Sequence, residues 1–317
     1  MLAYFGKRLL TVVPMLIVIS IVVFAGLQLA PGDPLTHLID PTKMDGSVDY
    51  DKLREEMGLN DPLYMQYLSW AGAFIKGDWG YSLVNGAKIS GVILRRLPAT
   101  LELAGAALII SSFMGIVLGL LSSIKPNSSL DYFNQGVGVA GVSIPDFFLG
   151  ICSIQIFSVY LDWFPVGGRM PYGSSALFSR LEHLFLPAVI LGFSLTAAVM
   201  RFTRGSMLDV LNKDYIKTAR SKGVPEWRVY IKHALRNAMM PVVLILLFRL
   251  SFLVGGAIVV ERVFNWPGMG SMILDAVSGN DYPVIMVTTM LVAYVILLAS
   301  LLVDLITALL DPRVRFE

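Results

Sequence analysis

Eight lysines and arginines fall within 34 residues, at Arg204, Lys213, Lys217, Arg220, Lys222, Arg228, Lys232 and Arg236, against only Asp209, Asp214 and Glu226. A net charge of +5 in so short a stretch is suited to contact, with either a protein surface or the anionic headgroups of a leaflet. Two further charges, Asp146 and Arg249, interrupt long apolar runs. A charge at mid-bilayer costs a few kcal/mol, so such groups face one another, a water-filled path or a charged solute. Covalent and metal chemistry are poorly provided for. Cys152 is the one cysteine, and His37, His183 and His233 lie far apart with no HExxH arrangement. Neither a disulfide, a zinc centre nor a nucleophile, base and orienting group can be assembled from them. The dipeptide Gly6-Lys7, followed by Arg8, lacks the spacing of a phosphate-cradling loop.

The elements that must position these charges are apolar helices. Of 317 residues, 56% are hydrophobic and 15% charged, where soluble chains carry roughly 25% charged residues. The mean hydropathy of +0.69 requires a bilayer as solvent, and the overall net charge of +2 argues against a nucleic-acid partner. A helix crosses a hydrocarbon core of about 30 Å with about 20 apolar residues, because backbone groups there must pair internally. Charge-free stretches of that length occur at Leu9–Gly32, Leu103–Ile124 and Tyr282–Val303. Leu184–Met200 is shorter and extends past Arg201 if that side chain snorkels. Asn237–Val260 is interrupted only by Arg249, and Tyr132–Leu161 only by Asp146. The expectation is an all-α membrane protein of six transmembrane helices. Lys7 and Arg8 precede the first stretch, as in a signal peptide, but its apolar run exceeds the about 7 to 15 residues of such a segment, so an anchor is expected. Lysine and arginine counts place both termini in the cytoplasm, the long loop from Pro31 to Pro98 being free to translocate whatever its charge.

That outer loop reads as a partly amphipathic helix, Leu53–Leu68, then a turn at Gly77-Asp78-Trp79-Gly80. It is either a cap joining two spans or a docking surface for an external partner. In the basic stretch Gly223 suits a helix C-terminus and Pro225 the first turn of the next helix, predicting helix, sharp turn, helix. Beyond the turn, Trp227, Tyr230, Ile231, Ala234, Leu235 and Ala238 recur at helical spacing, predicting an amphipathic helix. It could lie on lipid headgroups. The small pair Ala219 and Gly223, which lets another backbone approach, leans toward a protein partner.

The run Asp214 to Pro241, DYIKTARSKGVPEWRVYIKHALRNAMMP, resembles the cytoplasmic EAA-type loop of ABC importer permeases, specifically the dipeptide/oligopeptide/nickel family. Further pieces follow in the family's order: Pro31-Gly32-Asp33-Pro34, Leu59-Asn60-Asp61-Pro62-Leu63, Gly77 to Ser82, Val263 to Gly270, Asp281-Tyr282-Pro283 and Asp311-Pro312-Arg313. The early pieces are most similar to the first of the two permease subunits. The resemblance implies a type I importer transmembrane domain. Its partners would be a second homologous permease, two cytoplasmic ATPases carrying ATP and magnesium, and an extracytoplasmic solute-binding protein. It implies no cofactor on this chain. It also implies that Ala219, Arg220, Lys222, Gly223 and Glu226 form a coupling helix that fits a cleft on the ATPase. The division expected is residues 1–32 as tail and first helix, 33–98 as the extracytoplasmic region, and 99–317 as a five-helix permease core with its coupling loop at 204–237.

Asp146 and Arg249 depart from the family pattern, which places neutral residues there. They are expected either to pair with each other or to line the solute path. The solute expected is a peptide or a similar small molecule in a prokaryotic cell membrane. The competing functions are a self-sufficient carrier or channel and a permease for a metal chelate such as nickel.

Overall fold

The computed structural model describes residues 2–30, 52, 54–55, 57–170 and 176–310. The piece Pro31-Gly32-Asp33-Pro34 and the final Asp311-Pro312-Arg313 lie outside them. Helix α1 is Leu2–Leu29, α2 Leu63–Ile75, α3 Ile89–Ile124, α4 Ser129–Ser143 and α5 Asp146–Ser153, the last continuing as π-helix over Ile154–Tyr160. Helix α6 is Leu177–Leu211, α7 Asp214–Ser221 and α8 Glu226–Arg228; a π-helical stretch, Val229–Leu235, leads into α9, Arg236–Gly256. Helices α10 (Ile258–Val263), α11 (Met269–Ser278) and α12 (Tyr282–Leu310) complete the chain.

Among the described residues, five helical segments are long and apolar enough to cross a membrane, within α1, α3, α6, the run Glu226–Arg249 and α12. The sixth expected span is not straight: α4 and α5 meet at an angle of 102°. A proline disfavours helical geometry in the residue before it. Ile144 accordingly takes φ −91°, ψ 125°, and Pro145 φ −61°, ψ 137°. Asp146 therefore opens α5 instead of lying mid-helix, and a carboxylate in the first turn is favoured by the helix dipole. Pro14, Pro98, Pro187 and Pro241 sit inside continuous helices. The fifth span also ends earlier than expected, at Gly256, with Ala257 separating it from α10.

The chain divides into two compact units, residues 1–98 with 271–295, and 99–270 with 296–317. In the first, the expected helix Leu53–Leu68 is broken: residues 52, 54 and 55 are helical, Gly58 turns the chain with φ +66°, and Pro62 precedes α2, which begins at Leu63. An aromatic ladder runs Phe24, Tyr67, Trp70, Phe74, Trp79, with neighbouring ring centroids 5.4–6.1 Å apart. The Ser20 and Tyr67 hydroxyls bond at 2.8 Å, tying α2 to α1. Two sequence pieces 199 residues apart also meet here. Ser82 donates to Asp281, whose other oxygen accepts the Leu83 N–H at 3.1 Å.

The second unit is built around α6, whose 35 residues run about 52 Å, far longer than the 17-residue gap suggested. Most of its apolar window is buried by protein, which is how it carries charges a lipid-facing helix could not. Glycines let its neighbours approach. A Cβ on Gly115 or Gly119 of α3 would fall 2.5 Å from Val199 or 2.6 Å from Thr203 of α6. Such small-residue seams hold membrane helices together, where no hydrophobic effect drives association. Glu102 of α3 accepts from Arg169 at 2.7 Å and from Arg180 of α6 at 2.5 Å, so this acid at the edge of a charge-free stretch is a crosslink. Buried Glu261 accepts from Thr100 at 2.7 Å, and Trp266 donates to the Ala99 carbonyl at 2.8 Å. The Trp266 bond, with the Met269 N–H donating to the Thr100 hydroxyl at 2.7 Å, seats the Val263–Gly270 loop on α3.

Gly119→Val should force α3 off α6 and destabilise the fold by about 1–3 kcal/mol. Gly105→Ala, where an added Cβ meets nothing within 4 Å, should not. Thermal unfolding in detergent distinguishes the two, and equal midpoints would refute the seam.

Candidate functional site

The basic stretch folds as a packed knob. Helix α6 ends at Leu211, and after Asn212 and Lys213 the chain enters α7. Its dipole is matched at both ends, by Asp214 in the first turn and Arg220 in the last. Ile216 and Ala219 face inward while Asp214 and Lys217 pair across solvent at 2.9 Å.

The turn after α7 is a Schellman motif: Gly223 N–H bonds to the Arg220 carbonyl at 2.9 Å and Val224 N–H to the Ala219 carbonyl at 3.2 Å. Gly223 has φ +75°, and nothing lies within 4 Å of where its Cβ would be. This glycine is thus required by its backbone angle and faces open space. Pro225 then serves as the N-cap of α8, one position before the expected first turn. Arg220 and Glu226 staple the two sides of the turn by bonds of 2.9 and 3.2 Å. The Arg220 guanidinium is held even further above its ordinary pKa by that carboxylate.

Met207, Ile216, Val229, Ala234 and Ala238 form a closed core beneath the turn, joined by Leu120 of α3 and by Val224. The knob is therefore continuous with α6 and α3. A displacement applied to it is carried by packed helices and is not absorbed by a loose loop.

Of the expected site residues, Arg220, Lys222, Gly223 and Glu226 gather on the exposed side of the turn. Ala219 does not: at 8% exposure it is packed under the turn, closed to a partner's backbone. The expected apolar face of the following helix is also redrawn. Val229, Ala234 and Ala238 are buried, but Trp227 and Ile231 are 60% and 53% exposed. The cause is the π-helical run Val229–Leu235, whose wider turn shifts the register that a 3.6-residue period assumes. With Arg228 stacked 5.0 Å over the Trp227 ring, the knob presents an aromatic and aliphatic patch framed by cations. Arg204, counted among the loop's charges, is withdrawn from it by an ion pair with the buried Asp131 at 2.7 Å.

Asp146 and Arg249 are not brought together. Among the described residues no ion pair joins them; Asp146 opens α5, and Arg249 is half-buried on α9. The bend at Pro145 explains this, since it moves Asp146 from the middle of a span to the start of a separate helix. No group of three or more metal-ligating side chains is present among the described residues.

Comparison with known proteins gives two family matches that together span nearly the whole sequence. Residues 115–316 match the binding-protein-dependent transport system inner membrane component, and residues 1–104 match the N-terminal region of the same class of membrane component. The oligopeptide transport system permease protein AppB of Bacillus subtilis (strain 168) is 41% identical over 318 residues, covering 100% of both chains. The glutathione transport system permease protein GsiC of Escherichia coli (strain K12) is 38% identical over 317 residues, again covering 100% of both. Among solved structures, an inward-facing MetNI methionine ABC transporter aligns with a TM-score of 0.57 at 18% identity, over 69% of this chain and 96% of that one.

Gly223→Ala should strain the turn by about 1–2 kcal/mol, the cost of a left-handed conformation for a residue with a Cβ. Amide hydrogen exchange should quicken across residues 214–228 while α6 is unchanged; protection equal to wild type would refute the requirement for glycine.

Proposed function

The chain belongs to the family of binding-protein-dependent transport system inner membrane components and is a multi-pass permease subunit of an ABC importer; from that premise we propose how it works. It forms half of a translocation pathway with a second, homologous permease. The knob at 214–228 seats in a cytoplasmic ATPase, one of two, and a solute-binding protein delivers cargo from outside. ATP and magnesium are held by the ATPases, and this chain binds no cofactor. Both termini lie in the cytoplasm, as the distribution of lysine and arginine favours.

One observation carries the coupling role: a Schellman-closed, ion-stapled turn standing on a buried core and exposing Trp227, Ile231 and cations. That construction is stiff, and its apolar patch is of the kind that marks a protein interface. A basic helix lying flat on headgroups needs no such closed turn. Gly223→Trp should leave membrane insertion intact but abolish ATPase association or its stimulation. Wild-type ATPase coupling in that variant would falsify the knob assignment.

The proposed cargo is a peptide, supported by the names of relatives aligned along their whole length. A metal chelate is the second reading of the cargo. Arg249 and Asp146 are the proposed contacts along the path, each suited to one charged end of a zwitterion. Arg249→Gln and Asp146→Asn should each lower import of a tripeptide into proteoliposomes while ATP hydrolysis persists. Unchanged import in both variants removes them from the path.

A further inference from the structure

We infer that the Asp131–Arg204 pair is a positioning link of the transport cycle, passing displacement of the 214–228 knob from α6 to the bent α4–α5 pair. The inference rests on the coupling role proposed for that knob.

The Asp131 side chain is fully enclosed, and its four acceptor positions are filled. Oδ1 accepts from Arg204 Nε at 2.8 Å and Gln135 Nε2 at 2.9 Å. Oδ2 accepts from Arg204 Nη2 at 2.7 Å and the Asn127 N–H at 2.9 Å. An ionised carboxylate has about four such positions, so this one has no capacity left for water or another ligand. The two parallel bonds from Arg204 form a fork that resists both sliding and rotation of one helix against the other.

The rest of the α4–α6 contact lacks that directionality. Gly138 lies under Met200, where a Cβ would come within 2.6 Å of its Cε, and Gly141 faces the Phe193 carbonyl at 3.1 Å from the same hypothetical atom. Arg204, Met200, Ala197 and Phe193 thus follow one face of α6 at spacings of four, three and four residues. Glycine-lined surfaces bring helices close but do not fix their position along the axis. Among the described residues, the Arg204 fork supplies the side-chain hydrogen bonds between α4 and α6.

Its place in the chain gives the fork leverage. Arg204 is two turns before α6 ends and the knob begins, while Asp131 is in the first turn of α4. At the far end of α4 the helix breaks, and α5 starts at Asp146 and packs against α6 as well. A shift of α6 is therefore delivered directly to the base of α4 and arrives at the bend. Without the fork, α6 could move along the glycine seam and leave α4 behind.

The test uses the complete transporter in proteoliposomes, with the partner subunits' cysteines replaced. Cys152 of α5, this chain's single cysteine and partly exposed, carries a bimane fluorophore. In the wild type, trapping the ATPases with ATP and vanadate should shift the bimane emission. Arg204→Gln should lose most of that shift while hydrolysis continues, and Arg204→Lys, which keeps the charge without the fork, should retain part of it. Because Arg204→Gln strands a buried carboxylate, the neutral pair Asp131→Asn with Arg204→Gln provides an independent reading if the single variant fails to assemble. A full wild-type shift in the neutral pair, or in Arg204→Lys should neither of the others assemble, overturns the link. Gly223→Trp in the same preparation separates the two ideas. A full shift there sinks the knob itself, whereas its loss there alongside a full shift in the neutral pair sinks only the link.

Discussion

The structure depends on one constraint: in a bilayer, helices gain nothing from burying apolar surface against each other, so close packing and a few directional bonds must hold them. Helix α6 meets it by accepting glycines from both α3 and α4. Once backbones are that close, the polar bonds placed along α6 set which helices move together. Glu102 with Arg169 and Arg180 joins α3 to α6 toward one end, and Asp131 with Arg204 joins α4 toward the other. Glu102, Arg180 and Asp131, charges that hydropathy would place at span edges, are crosslinks.

The charge gaps made the helical membrane class and the approximate spans legible, since unpaired charges and hydrocarbon exclude one another whatever the tertiary fold. Gly223 was legible for a similar reason: a positive φ and a Schellman turn are local properties of four or five residues. The bend at Pro145 was not, because four other prolines lie in unbroken helix and only their neighbours decide the outcome. Nor was the exposure of Trp227 and Ile231, since a periodicity argument presumes an α-helix and the chain forms a π-helical stretch there. The Asp131–Arg204 pair joins residues 73 apart in sequence, one at the edge of a gap and the other counted with a loop. Sequence spacing carries no sign of such a meeting. The supposed Asp146–Arg249 pair failed for the complementary reason: two charges in apolar runs invite pairing, yet the bend had already placed one of them at a helix start.

The short sequence pieces that resemble the family separate into two kinds of work. Gly77–Ser82 with Asp281, and Val263–Gly270 with Thr100 and Ala99, act inside the fold, the first closing a loop onto the start of α12 and the second onto the body of α3. The 214–228 segment is different in kind. Its interior is as well packed as the rest, but its outer side is finished for contact.

That outer side has a consequence for the chain before it meets anything. A tryptophan and an isoleucine at 60% and 53% exposure, on a rigid support that cannot fold them away, form an adhesive surface in water. On the coupling reading, an ATPase covers it. A copy made in excess of its ATPase would keep the patch bare, available to chaperones and proteases that recognise exposed apolar groups. The abundance of the permease would then track that of its engine, with stoichiometry enforced by a surface that is safe only when occupied.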